Sequence, residues 1–272
     1  MNATIINIDA NKATEYLKFN TVNRPLNQAH VAFLASEMIN GNWKLNGEAI
    51  CFENGKLVNG QHRLNAIIIA DVKIDMLVVS ECEVGSFKTF DSGRNRTISE
   101  VFSIIGIPYA ALISSIIGRY KRISIQAKEG KVNVGRSLTG AKKQSKIELE
   151  KEYNSTPELY QSIAKFSFPM GQKHILTGVE IGGYVSFLIK DKKHPNEFVM
   201  SFFEMLSRGK NISNTTIELL RDRLLDDKLS NAKLTPKYKQ MLIIKAWNCY
   251  VKDVNLKTLR WNETSEGELS FI

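Results

Sequence analysis

Apolar residues dominate Thr4–Ile8, which reads as a short strand, and Val72–Ser80 alternates enough between apolar and polar positions to be a further one, with apolar residues at helical spacing in between. Lys12–Phe19 reads as a helix running to the turn Asn23-Arg24-Pro25-Leu26, where the proline pushes Arg24 out of helical angles. Asn27 is placed to cap a helix carrying Val31, Leu34, Ala35 and Met38, stopped by Gly41. Glu48–Glu53 and Gly55–Asn59 read as two strands joined at Asn54-Gly55, the strongest short hairpin signal in the chain. Leu64–Ala70 then continues as a helix, so strand, helix and strand follow one another around a polar turn.

A brief helical stretch over Val84–Phe90 leads to the polar cluster Asp91-Ser92-Gly93-Arg94-Asn95-Arg96-Thr97, followed by a helix with Ile98, Val101, Phe102 and Ile105 that ends at Gly106 and Pro108. From Tyr109 onward the periodicity is helical throughout, over 109–126, 144–153, 156–166, 173–189, 194–207, 213–226 and 235–251. The expected class is therefore α+β: a small N-terminal sheet with helices over residues 1–107, followed by an all-α C-terminal domain over residues 108–272.

The turn Gly60-Gln61-His62-Arg63 is the leading candidate site. A glycine takes backbone angles closed to other residues, and a helix that starts just after it presents N–H donors and the positive end of its dipole. With the charge of Arg63, this would suit an anion such as phosphate or carboxylate. His62 reads as a phosphate donor or a general base, or as an imidazole packed beneath the turn. Gln61 can orient a ligand through its amide but cannot act as a base at neutral pH.

Charge adds a second candidate. The formal net charge of +9 is uneven: residues 1–107 hold 10 Lys/Arg against 11 Asp/Glu, and residues 108–272 hold 27 against 17. Within 119–146, Arg119, Lys121, Arg122, Lys128, Lys131, Arg136, Lys142, Lys143 and Lys146 face only Glu129. That surplus of 8 exceeds what solubility needs and points to backbone contact with nucleic acid, DNA in the first instance, rather than a merely solvated loop. Few aromatic residues lie nearby, Tyr120 and Tyr153 at most, so electrostatic binding without base stacking is the simpler expectation.

Cys51, Cys82 and Cys249 are odd in number and set in apolar surroundings, which fits reduced core thiols and a cytoplasmic setting. The four histidines are scattered, and no His/Cys/Asp set has zinc spacing. The N-terminus lacks a basic-then-apolar leader and no apolar run approaches about 18 residues, so neither secretion nor a membrane span is expected. Trp43, Trp247 and Trp261 are expected in the core.

Four segments together resemble the ParB/sulfiredoxin superfamily, in particular a ParB-like group common in bacteriophages and mobile elements. They are Asn23-Arg24-Pro25-Leu26, Gly41-Asn42-Trp43, Gly55–Leu64 with its Gly60-Gln61-His62-Arg63 turn, and Asp91–Thr97. The likeness continues to Lys245-Ala246-Trp247-Asn248 and Leu259-Arg260-Trp261. It implies a nucleoside triphosphate held at the turn, with Gly60, Gln61, His62 and Arg63 around the phosphates and Arg94 and Arg96 across the groove. Gln61 stands where sulfiredoxins carry their catalytic cysteine, which argues against that repair chemistry, and Asn59 stands where related phage proteins often have an aspartate.

Three functional readings follow. The first is a cytoplasmic DNA-associated protein in which nucleotide is a switch or slow substrate and residues 119–146 contact DNA. The second is a hydrolase or transferase, a metal-dependent nuclease or small-molecule kinase, with Asp91 or Glu48 holding Mg²⁺ and His62 moving a proton. The third is a non-catalytic scaffold for a host protein. Homo-oligomerisation is compatible with each.

Overall fold

A computed structural model describes residues 1–272 apart from Val22, Arg24, 87–96, 129–144 and His174. The chain divides into two compact units, Met1–Asn95 and Arg96–Ile272.

The first unit carries a four-stranded sheet in the order β1-β4-β2-β3, with β1 at Asn2–Ile8, β2 at Ile50–Glu53, β3 at Lys56–Asn59 and β4 at Ile74–Ser80. β1 and β4 run antiparallel from Asn2↔Ser80 to Ile8↔Ile74, and β2 lies parallel to β4 through Ile50↔Val78 and Cys51↔Val79. Period-two alternation sorts these pairs by face. Ile8, Ile50, Met76 and Val78 join the main core beneath the helices α1 (Ala10–Leu17), α2 (Gln28–Ile39) and α3 (Gln61–Ala70), which contributes Leu64, Ala66 and Ile67. Cys51 and Val79 turn to the opposite face and form a small cluster with Cys82.

The expected hairpin is present: Asn54 and Gly55 both have positive φ, 48° and 75°, as a tight hairpin turn of this kind demands. Asn27 caps α2, its side chain accepting from the His30 N–H, and Gly41 follows that helix at φ 65°.

The second unit is helical among its described residues up to a short C-terminal tail. Its helices are α4 (Ile98–Ile104), α5 (Ala110–Lys128), α6 (Lys146–Ser155), α7 (Pro157–Gly171), α8 (Gly178–Lys190), α9 (Asn196–Arg208), α10 (Thr215–Leu229), α11 (Pro236–Val251) and α12 (Glu263–Glu266). α4, which the sequence reading placed before the domain boundary, buries Phe102 in this unit's core. α8 is buried along Ile181–Leu188 and packs against α5, α7 and α9. α7 runs past the expected end at 166 to Gly171, with Pro169 inside its last turn at the cost of one intrahelical hydrogen bond. Trp247 and Trp261 are core residues, as expected, and Phe271 of the tail packs against the rings of Tyr184 and Phe187.

Candidate functional site

Gly60 joins β3 to α3 at φ 106°, and no side chain caps the helix. Two constraints require glycine here. A side chain would be strained at that φ, and a Cβ would lie 2.4 Å from Ile50 Cδ1 and 3.2 Å from Ile50 Cα. The turn is thus pressed directly onto strand β2.

The three residues after Gly60 point in different directions. Arg63, 8% exposed, folds back beneath the turn, where its guanidinium donates to the carbonyl of Glu48, to that of Ala49 at 3.0 Å and to Asn59 Oδ1 at 3.2 Å. It ties the chain entering β2 to the end of β3. Gln61, also buried, accepts from Asn20 Nδ2 at 3.1 Å. Asn20 Oδ1 in turn accepts from Asn23 Nδ2, which also donates to the Leu57 carbonyl at 2.6 Å. Asn23 is therefore anchored to β3 and, through Asn20, to the start of α3.

His62 faces the other way. Its Nε2 accepts from the Asn27 backbone N–H at 3.0 Å, so in this arrangement the imidazole is neutral and carries its proton on Nδ1. The lone pair a general base would use is engaged. The ring of His30 lies 5.4 Å from that of His62, centroid to centroid, and the two imidazoles with Pro25 and Asn27 line an open cavity of about 260 Å³. This hollow lies at the N-terminal ends of both α2 and α3, where two helix dipoles present partial positive charge.

In the sequence His30 is one of four scattered histidines. A usable signal was there: His30 stands three residues after the cap Asn27, and His62 two after the cap Gly60, so each falls in the first turn of its helix.

Of the other candidates, Asp91, Arg94 and Arg96 lie outside the described residues. Glu48 is exposed, and its carbonyl is taken by Arg63. Among the described residues, no three His, Cys, Asp or Glu side chains gather in a group that could hold a metal ion. Cys51 lies behind the turn, opposite Asn59 in the sheet, and burial, reinforced by Cys82 beside it, pushes its thiol up to about 11.

The basic residues of the second unit separate into two groups. Lys121 bridges to Glu152 at 3.7 Å, and Arg119 is laid against Tyr184, so both are drawn into contacts between helices. Arg122, Lys128 and Lys146 are exposed, on α5 and at the start of α6. Lys131, Arg136, Lys142 and Lys143 lie outside the described residues.

No protein-family profile, curated protein or solved structure matches this chain. The mixed α+β organisation stands on the structure itself, and no helix among the described residues is long and apolar enough to cross a membrane.

Proposed function

We propose that the chain is a DNA-associated protein of the ParB-like kind. In this reading the first unit binds the phosphates of a nucleoside triphosphate beside the Gly60 turn, and the second contacts the DNA backbone through Arg122, Lys128, Lys146 and the stretch between the last two. The observation that carries the nucleotide half is the hollow at the starts of α2 and α3, lined by His30, His62, Pro25 and Asn27. Helix starts and imidazole N–H groups are suited to phosphate oxygens, and the opening has room for a polyphosphate.

On this reading Gly60, Gln61 and Arg63 shape the turn, while His62 and the main-chain N–H groups at the start of α3 face the ligand. Arg63 acts behind the turn, holding β2 and β3 in register. The DNA half rests on the charge of residues 119–146 and on the exposure of the three cations that flank the 129–144 stretch.

The test is the melting temperature of the full chain with ATP, CTP, GTP or UTP and Mg²⁺, in the wild type and in His62→Ala. A ligand that binds only the folded state raises stability by about 2.7 kcal/mol at a hundred times its Kd. A rise with one nucleotide that His62→Ala abolishes supports the site. No rise with any nucleotide at millimolar concentration defeats the nucleotide half of the reading.

A further inference from the structure

α5 and α8 pack closely because α8 carries two adjacent glycines facing α5. A Cβ at Gly182 would meet Ile116 Cδ1 at 2.4 Å, and one at Gly183 would meet Arg119 Cγ at 2.7 Å and Cδ at 2.8 Å. Gly183 thus makes a slot for the stem of Arg119. The guanidinium at the end of that slot is placed by Tyr184: its carbon lies 5.1 Å from the ring centroid, and an Nη donates to the tyrosine hydroxyl at 3.3 Å. Tyr184 is itself held by Phe203, stacked at 6.2 Å, and by Phe271. The fork of Arg119 is therefore preset by buried aromatic packing.

That arrangement leaves the arginine short of partners. Its Nε is shut off from solvent and has no hydrogen-bond partner. One helical turn along, on the same side of α5, stands the exposed Arg122, which is held below the usual arginine range by partial desolvation and then by the charge of Arg119. Among the described residues no carboxylate pairs with either guanidinium. Glu180, on the first turn of α8, spends its carboxylate on the N–H and hydroxyl of Thr177. Lys121, by contrast, shares Glu152 with Lys190. Two neighbouring cations with no carboxylate paired to them among the described residues, one of them fixed in orientation, suit an anion, and planar forked donors match the oxygens of phosphate.

We infer that Arg119 and Arg122 together form an oriented phosphate-binding site on α5, with Arg119 as the fixed fork and Arg122 as its mobile partner, and that the phosphate is a backbone phosphodiester of DNA. The source of that phosphate rests on the DNA half of the reading above; the chemistry of the site does not. The site differs from diffuse attraction by the basic stretch because it needs guanidinium geometry as well as charge.

The experiment measures anisotropy of a fluorescein-labelled random-sequence duplex titrated with the full chain, in the wild type, Arg119→Lys, Arg122→Lys and the control Lys257→Arg, an exposed lysine with no part in the proposed contact. Each substitution preserves charge. Inorganic pyrophosphate is titrated in parallel, read by melting temperature. Arg119→Lys is expected to weaken duplex binding by roughly tenfold, the scale of a lost charge-assisted hydrogen bond, with Lys257→Arg unchanged. The exposed Arg122→Lys keeps the test sound if Arg119→Lys folds poorly, and its expected loss is several-fold. Tight duplex binding that neither lysine variant weakens overturns the oriented site while sparing the DNA reading. Absence of duplex binding, with pyrophosphate stabilising the wild type but neither variant, upholds the site for a free phosphate ligand and overturns the DNA reading. No response to either probe overturns both.

Discussion

Replacing Gly60 by alanine tests the physical basis of the turn directly. The new methyl group carries two penalties. The first is conformational: an L-residue held near φ 106° costs about 1–3 kcal/mol. The second is steric, since the Cβ would sit 2.4 Å from Ile50 Cδ1 and 3.2 Å from Ile50 Cα. The side-chain atom can swing away but the backbone atom cannot, and forced overpacking of this kind costs about 1–3 kcal/mol. Together Gly60→Ala should destabilise the first unit by about 2–6 kcal/mol.

The assay is urea unfolding of the full chain followed by hydrogen exchange on peptides from β2 and α3, which separates the first unit's transition from the second's. Ile50→Val then divides the two penalties, because it removes the Cδ1 that the new methyl meets and leaves the dihedral untouched. In that background Gly60→Ala should cost about 1–2 kcal/mol less than in the wild type. A Gly60→Ala protein within about 0.5 kcal/mol of wild type would refute the close approach and the strain alike. Full destabilisation with no coupling to Ile50→Val would refute the clash with Ile50 Cδ1 and leave the cost to the dihedral and the approach to Ile50 Cα.

Two further outcomes follow from the same structure. Arg63→Met keeps the length of the side chain and removes its bonds to Glu48 O, Ala49 O and Asn59 Oδ1, so the first unit should lose about 2–4 kcal/mol in urea unfolding; a stable variant would show that Arg63 is not a brace. In the second unit, burial alone would raise the Glu152 carboxyl, but bonds from Lys190 and Tyr160 and the charges of Lys190 and Lys121 outweigh it and hold the group below its ordinary value. A depressed carboxyl stabilises fully above its unfolded value near pH ~4.3 and loses that contribution as pH falls through the folded value. The melting-temperature gap between wild type and Glu152→Gln should therefore be widest near neutrality and close in acid, and a gap independent of pH would overturn the assignment.

Local chemistry made part of this structure legible in the sequence. Asn54-Gly55 could only be a tight turn, Asn27 a helix cap and Gly60 a position of special backbone, because each is decided by its own neighbours. The inward rotation of Gln61 and Arg63 was not legible, since it depends on partners far along the chain: Asn20 lies 41 residues from Gln61, and the Glu48 and Ala49 carbonyls precede a strand whose exact start periodicity does not reveal. The same holds for Arg119. Composition showed a basic stretch, but the slot that separates Arg119 from its neighbours is made by a glycine on another helix, 64 residues away.

The turn and the α5 pair show opposite uses of arginine, and the difference lies in what surrounds the fork. Arg63 faces backbone carbonyls that the sheet leaves uncovered, so its donors are consumed within the fold and its positive charge is spread over fixed dipoles. On the proposed reading, a phosphate at that turn meets main-chain donors and the imidazoles of His62 and His30 instead of the guanidinium of Arg63. Arg119 faces an aromatic ring and a hydroxyl, which orient the fork without neutralising it, so its charge remains available to an external anion. It follows that duplex binding through the α5 pair, read by the anisotropy titration, should be the same at neutral and mildly acidic pH, because guanidinium stays protonated throughout that range.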